Sequence, residues 1–291
     1  MRFVTFRNPQ GAPEPGVAVG DQIIGLKEAG FGSVIEVIAG GAEARQKIEQ
    51  WIAAPPAGSV HNAASLKLFS PIPKPGKIFC VGLNYRDHAE ESNMAIPELP
   101  TIFSKFTNTV IGPGDEIVLP KISQKPDYEA EFAFVIGAGG RHIKKEDWQN
   151  HVFGYMNLHD VSARDIQLAT SQWLMGKTFD TFAPMGPYLV TADEVADPHD
   201  LSIKLTIHNQ ERGTVEVLQD SNTKHLIFKL PYLVEYLSSI CTLEPGDVIT
   251  TGTPAGVGFA RKPPRFLVPG DVVTVEVQGL GQLTNPVVAE R

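Results

Sequence analysis

Residues 127–137 read DYEAEFAFVIG. The run is apolar enough for a buried β-strand, yet it carries two glutamates, Glu129 and Glu131, separated by one alanine. On a strand, side chains two apart share a face. Glu129, Glu131, Ala133 and Val135 therefore share one face, and Tyr128, Ala130, Phe132, Phe134 and Ile136 share the other. The aromatic face is the core face. The glutamates then face bulk solvent or a polar cavity. Two adjacent carboxylates repel each other, and a shared cation would relieve that repulsion. Hard divalent ions such as Mg2+ take carboxylate oxygens and retain waters.

Around this strand the chain reads as β-rich α+β, a rolled or barrel-like sheet with helices outside it. Pro-Gly-Asp occurs three times, at 113–115, 245–247 and 269–271, each time before β-branched residues. Proline presets φ and glycine supplies positive φ, so each reads as a type II turn leading into a strand. The best helical candidates are SVIEVIAG, AEARQKIEQWIAA, KKEDWQNHVFGY, SARDIQLATSQWL and KLPYLVEYLSS. Residues 1–70 look like a small N-terminal α+β domain, a short meander followed by helices. The proline-rich LFSPIPKPG places a boundary near residue 70, with the larger domain at 71–291.

Composition narrows the class. The 291 residues are 42% hydrophobic and 20% charged, with a net charge of −8, as in a globular protein with a real core. There is no basic block, which argues against a nucleic-acid or anionic-membrane surface. No run reaches the length of a membrane-spanning helix and no secretory h-region is visible. A cytoplasmic protein is the expectation, with a mitochondrial form left open. Cys80 and Cys241 sit in apolar surroundings and read as two buried thiols rather than a disulfide.

Further groups could join the glutamates. Asp160, in GYMNLHDVSARDIQ, lies where an apolar run gives way to a helix start, although it could equally pair with Arg164 or cap the helix. His88 and Glu91 are three apart, so one helical turn would make them a water-activating dyad. The polar stretch around them suits a mobile lid, and equally an ordinary loop. Lys177, flanked by Trp173, Leu174, Met175 and Phe179, is a cation placed to stabilise an enolate oxygen or a snorkelling surface lysine. Lys105, in TIFSKFTNT, raises the same question. The loop ITTGTPAGVGF lacks the Gly-Lys-Ser/Thr of a phosphate loop, but its backbone N–H groups and the Thr253 hydroxyl could meet a carboxylate.

Taken together and in order, VGLNYRDHAEE, IFSKF, GPGDEIVLP, DYEAEFAFVIG, GYMNLHDVSARDIQ, GKTFDTFAPMGP and PGDVITTGTPAGVG resemble the fumarylacetoacetate hydrolase family over about residues 71–288. The segment GFARKPPRFLVPGD is similar to the domain-containing protein 2 branch of that family. The resemblance implies a mixed β-sandwich roll, usually a homodimer. It implies Mg2+ or Mn2+ on Glu129, Glu131 and Asp160, with Lys177 in the active site and His88 and Glu91 as the lid dyad. It also implies that Lys105, Arg164, Gln167 and Thr253 contact the carboxylate and keto end of a small keto acid.

The main functional expectation is metal-dependent hydrolysis of a C–C bond in a 2,4-diketo acid, releasing pyruvate or a related 2-keto acid. His88, oriented by Glu91, would activate water against the distal carbonyl, and Lys177 would stabilise the departing enolate. The alternative keeps the site and changes the reaction, to decarboxylation of oxaloacetate or isomerisation of an unsaturated keto diacid, which needs no water attack. A non-catalytic binding scaffold is the third expectation, and the co-occurrence of three carboxylates, Lys177 and the His88–Glu91 pair argues against it. The named substrate does not follow from the fold.

Overall fold

The strand Ala130–Ile136 is buried along its whole length, inside a twelve-stranded sheet. The architecture comes from a computed structural model that describes residues 1–209 and 212–291. Antiparallel neighbours flank the strand, Val152–His159 on one side and Val248–Thr250 on the other. Val248–Thr250 in turn runs parallel to Ile78–Gly82, which pairs with Thr101–Ser104. In the other direction the sheet continues through Ala183–Thr191 to Arg2–Arg7, Pro13–Val19, Gln22–Gly25 and Val60–Asn62. The first strand, Arg2–Arg7, thus hydrogen-bonds directly onto Ala183–Thr191 and joins residues 1–70 to the larger sheet.

A second sheet has five strands in the order Thr214–Asn222, Ser202–Asn209, Asp271–Val277, Gln282–Ala289 and Ile117–Leu119. Its apolar residues Ile203, Leu205, Ile207, Val273 and Val275 join Phe132, Phe134 and Ile136 in one core. This is the aromatic face anticipated from the alternation. The opposite face is covered as well. Ala133 and Val135 belong to a second core with Val34, Val37, Ile38 and Ile48, which come from the helices Val34–Ala39 and Gly41–Ala53. Only the glutamate end of that face is left for a cavity.

The three Pro-Gly-Asp turns share one device. Gly114, Gly246 and Gly270 have φ of +74°, +88° and +90°, which glycine adopts without a Cβ clash. In each turn the aspartate accepts a backbone N–H from three residues earlier: Gly112 to Asp115, Glu244 to Asp247 and Val268 to Asp271, at 2.8–3.0 Å. The expected helix in KKEDWQNHVFGY is instead a short 3-10 turn, Lys145–His151, followed by the strand Val152–His159. Strand pairing on both sides overrides the local helical spacing there. SARDIQLATSQWL yields only the short helix Arg164–Gln167, with a second short helix, Leu174–Lys177, starting at its last residue, whereas Leu230–Ile240 forms a regular helix with proline in its first turn. Both cysteines are free, Cys80 buried and Cys241 partly covered. Among the described residues no helix is long and apolar enough to cross a membrane.

Candidate active site

Two adjacent antiparallel strands bring the acids together. Ala130 is paired with His159, so the residues just beyond them, Glu129 and Asp160, meet at the same end of the sheet. Asp160 N donates to Glu129 O at 2.9 Å and fixes this corner. Each of Glu129, Glu131 and Asp160 offers an oxygen within 4.8 Å of the others, and all three side chains are buried.

Cations surround the acids. Lys177 ends the short helix Leu174–Lys177 and reaches Glu129 Oε2 at 2.6 Å and Asp160 Oδ2 at 2.7 Å. Lys105 Nζ donates to Asp160 Oδ1 at 2.5 Å and to Val161 O at 3.0 Å. Arg164 uses its whole fork: Nη2 to Glu129 Oε1 at 2.6 Å, Nε to Asp127 Oδ2 at 2.8 Å and Nη1 to Gln167 Oε1 at 3.0 Å. Asp160 and Arg164, four apart in sequence, do not pair with each other. Glu131 is held by the Thr250 hydroxyl and by Gly252 N at 3.0 Å.

The charges divide the two glutamates. Burial opposes ionisation of Glu129, but Arg164 and Lys177 outweigh it and hold the carboxyl well below its usual range. Glu131 has no such partner. Burial, with the charges of Asp160 and Glu129, pushes it well above the usual range. Lys177 is raised because Asp160 and Glu129 overcome the penalty of burial. The buried acids of this cluster are Asp127, Glu129, Glu131 and Asp160, and the buried bases facing them are Lys105, Arg164 and Lys177. Ionising all four would leave one negative charge in excess, so Glu131 resists ionisation unless a cation joins the cluster. An all-oxygen donor set with excess negative charge fits a hard divalent ion such as Mg2+ or Mn2+.

A cavity of about 340 Å³ opens onto this cluster. Glu129, Glu131, Arg164, Gln167, Lys177, Thr253 and His88 line it, with Phe103, Trp173 and Phe259 as apolar walls. Asp160 and Lys105 lie behind the lining, and Lys105 is spent on Asp160 rather than pointing into the space. His88 and Glu91 sit on the helix Arg86–Glu91 with Nδ1 and Oε2 3.5 Å apart, while both Glu91 oxygens accept from Gly256 N at 3.0 Å. A larger surface groove of about 740 Å³ runs past Phe3, Val37 and Phe153. It holds no comparable cluster, since its Asp193 and Arg45 pair with each other.

The Fumarylacetoacetate (FAA) hydrolase C-terminal profile matches residues 77–288. The chain belongs to the fumarylacetoacetate hydrolase family. It is 50% identical over 229 residues to the mitochondrial oxaloacetate tautomerase fahd2 of Xenopus laevis, covering 78% of this chain and 70% of that one. It is 49% identical to the mitochondrial oxaloacetate tautomerase FAHD2A of Homo sapiens, covering 77% of this chain and 70% of that protein. Among solved structures, a fumarylacetoacetate hydrolase from Exiguobacterium antarcticum superposes with a TM-score of 0.85 at 34% identity over the whole of both chains. A maleylpyruvate hydrolase from Sphingobium sp. SYK-6, solved with manganese and pyruvate, gives 0.83 at 30% identity, again over the whole of both chains.

Several residues that build this family member's site carry no signal in sequence spacing. Asp127 stands in the quoted strand motif, yet nothing local marks it as the partner of Arg164. It is fully buried, and its carboxylate also accepts from Tyr128 N and Gly258 N at 2.8 Å and from Phe259 N at 3.0 Å. Thr250 and Gln219 reach the site only because distant strands pair next to it.

Proposed function

We propose that the chain is a divalent-metal-dependent keto–enol tautomerase acting on oxaloacetate or a closely similar 2-keto diacid. The observation that carries this reading is the fit between the 50% kinship to proteins named oxaloacetate tautomerase and a buried site built for an enolate. Glu129, Glu131 and Asp160 would hold the ion, and when bound it would supply Lewis-acid polarisation of the 2-keto oxygen. Lys177 keeps its proton, because Asp160 and Glu129 raise its pKa against burial, and places positive charge where the enolate oxygen develops. Arg164 and Gln167 orient the carboxylate next to that oxygen. His88, at the cavity rim, moves a proton at C3 of the substrate, and Glu91, one turn along the same helix with Oε2 3.5 Å from His88 Nδ1, sets its tautomer. Phe103, Trp173 and Phe259 exclude water from the enolate.

Hydrolysis of an acylpyruvate is the second reading. The His88–Glu91 pair favours it, as does the likeness to the Sphingobium maleylpyruvate hydrolase. The two readings share the enolate and differ in whether water attacks. The deciding experiment follows the ultraviolet absorbance of enol-oxaloacetate with and without Mg2+ or Mn2+, beside product analysis for CO2 and for acid plus pyruvate from acetylpyruvate. Metal-dependent equilibration of enol and keto forms without C–C cleavage is expected. Acetylpyruvate cleavage at a higher kcat/KM than tautomerisation would replace the proposal by the hydrolase reading.

A further inference from the structure

Gln219 belongs to the strand Thr214–Asn222 of the second sheet, opposite Leu205, and is 1% exposed. Its amide bridges three partners. Ala130 N donates to Gln219 Oε1 at 2.8 Å, so Oε1 is the acceptor and the nitrogen must lie on the other side. Gln219 Nε2 then donates to Thr253 Oγ1 at 2.8 Å and to Pro254 O at 2.9 Å. The same strand seats the glycine-rich loop tightly: Gly256 has φ of +103°, and a Cβ there would lie 2.1 Å from Leu218 O.

This chain of donors fixes the polarity of one hydroxyl. Thr253 Oγ1 accepts a hydrogen bond from Gln219 Nε2, so its own proton points elsewhere. Among the described residues no acceptor lies within hydrogen-bond reach of it, and Thr253 lines the cavity beside Glu131. Arg164 and Lys177, which line the same space, share their charge with Glu129, and Thr253 adds a neutral donor beside them. We infer that Gln219 is a positioning residue that makes Thr253 an obligate donor to an acceptor oxygen of the bound substrate. The inference rests on the keto-acid reading of the cavity and adds what one wall of it requires. Gln219 touches Ala130, next to Glu129 in sequence, as well as the loop, so the second sheet sets both the strand end and the hydroxyl that faces it.

The test uses oxalate as the probe, a dicarboxylate that is not turned over. Its dissociation constant is measured by titration calorimetry on Mg2+-loaded wild type, Thr253→Val, Thr253→Ser, Gln219→Met and the Thr253→Val/Gln219→Met double variant. Loss of a hydrogen bond to a charged group weakens binding by about tenfold or more. Thr253→Val and Gln219→Met should each show such a loss, Thr253→Ser should retain wild-type affinity, and the double variant should bind no more weakly than Thr253→Val. With oxaloacetate, the same variants should change KM more than kcat. Wild-type affinity in Thr253→Val overturns the inference. So does an equal loss from Gln219→Met in the wild-type and Thr253→Val backgrounds, which is what a purely structural glutamine gives. If Gln219→Met does not fold, the contrast of valine and serine at 253 still decides whether the hydroxyl donates. Absence of oxaloacetate turnover would count against the proposed function and leave the oxalate comparison readable.

Discussion

Lys105 Nζ lies 2.5 Å from Asp160 Oδ1, and neither side chain is exposed to solvent. Burial pulls the lysine below its ordinary pKa although Asp160 opposes the shift. Asp160 has Lys177 as its second cation, so it is gripped on both oxygens. Removing one partner of a buried ion pair costs about 3–5 kcal/mol, because the remaining charge loses its compensation. Lys105→Met should therefore destabilise the metal-free protein by about 3 kcal/mol. A divalent cation would replace part of the missing charge. The rise in melting temperature on adding Mn2+ should be larger for Lys105→Met than for wild type, as read by thermal denaturation with and without the ion. An equal rise in both proteins would mean that Lys105 does not share the electrostatics of the acid cluster.

Glu131 should behave in the opposite way. Burial, Asp160 and Glu129 all disfavour its charge, and only Thr250 and Gly252 hold it. Glu131→Gln removes a carboxylate that the metal-free fold gains little from ionising. Its metal-free melting temperature should match or exceed that of wild type. The stabilisation by Mg2+ or Mn2+, about 2.7 kcal/mol for wild type at a hundred times Kd, should fall away in the variant. A chelator should lower the melting temperature of metal-loaded wild type and leave that of Glu131→Gln unmoved. Wild-type metal stabilisation in the variant would remove Glu131 from the ligand set.

Much of this was legible in the sequence because strand alternation is strict. Alternation puts Glu129 and Glu131 on one face, and the ordered motifs that resemble the fumarylacetoacetate hydrolase family join Asp160 and Lys177 to them. The glycines of the three Pro-Gly-Asp turns carry positive φ for the reason that type II turns demand it. What stayed hidden depends on long-range pairing. Val135 is covered by helices about a hundred residues earlier in the chain, and Gln219 enters from a strand 89 residues beyond Ala130. Lys145–His151 has helical spacing in sequence, but the sheet claims the residues that follow. Lys105 was recognisable as a lysine in apolar company. That it faces Asp160 rather than the cavity is decided by the packing of Thr101–Ser104 against Ile78–Gly82.

Asp127 ties the loop near Phe259 to Arg164. Its oxygens accept from Tyr128, Gly258 and Phe259 backbone N–H groups and from Arg164 Nε, and the Phe259 ring lies 5.9 Å from the guanidinium carbon. Asp127→Ala leaves those donors without an acceptor and Arg164 with one carboxylate fewer. The expected loss is about 3–5 kcal/mol, measured by urea denaturation. Asp127→Asn keeps the shape and one acceptor oxygen and should lose less. The loop should also loosen. Trypsin should cut Asp127→Ala faster than wild type after Arg261, just past the clamped residues. Unchanged cleavage there would mean that Asp127 does not hold the loop.

The last expectation concerns pH. His199 Nε2 accepts from Leu230 N at 3.3 Å, at the start of the helix Leu230–Ile240, and its ring packs 5.8 Å from Trp148. Burial, then the nearby Lys229, lowers its pKa, while Asp197, 3.6 Å from Nδ1, only partly opposes the shift. His159 is shifted the same way, down to about 3, by burial and Lys105. A histidine with a lowered folded pKa binds fewer protons folded than unfolded. Its stabilising contribution is complete above the unfolded pKa of about 6.5 and is lost as pH falls toward the folded value. Stability should therefore drop from pH 7.5 to 5, by up to about 1.4 kcal/mol per pH unit for each such histidine. His199→Asn should flatten this slope by no more than one histidine's share, leaving the part due to His159. Urea midpoints across that range measure it. A steeper slope in His199→Asn, or none in wild type, would show that protonation of these rings does not oppose folding.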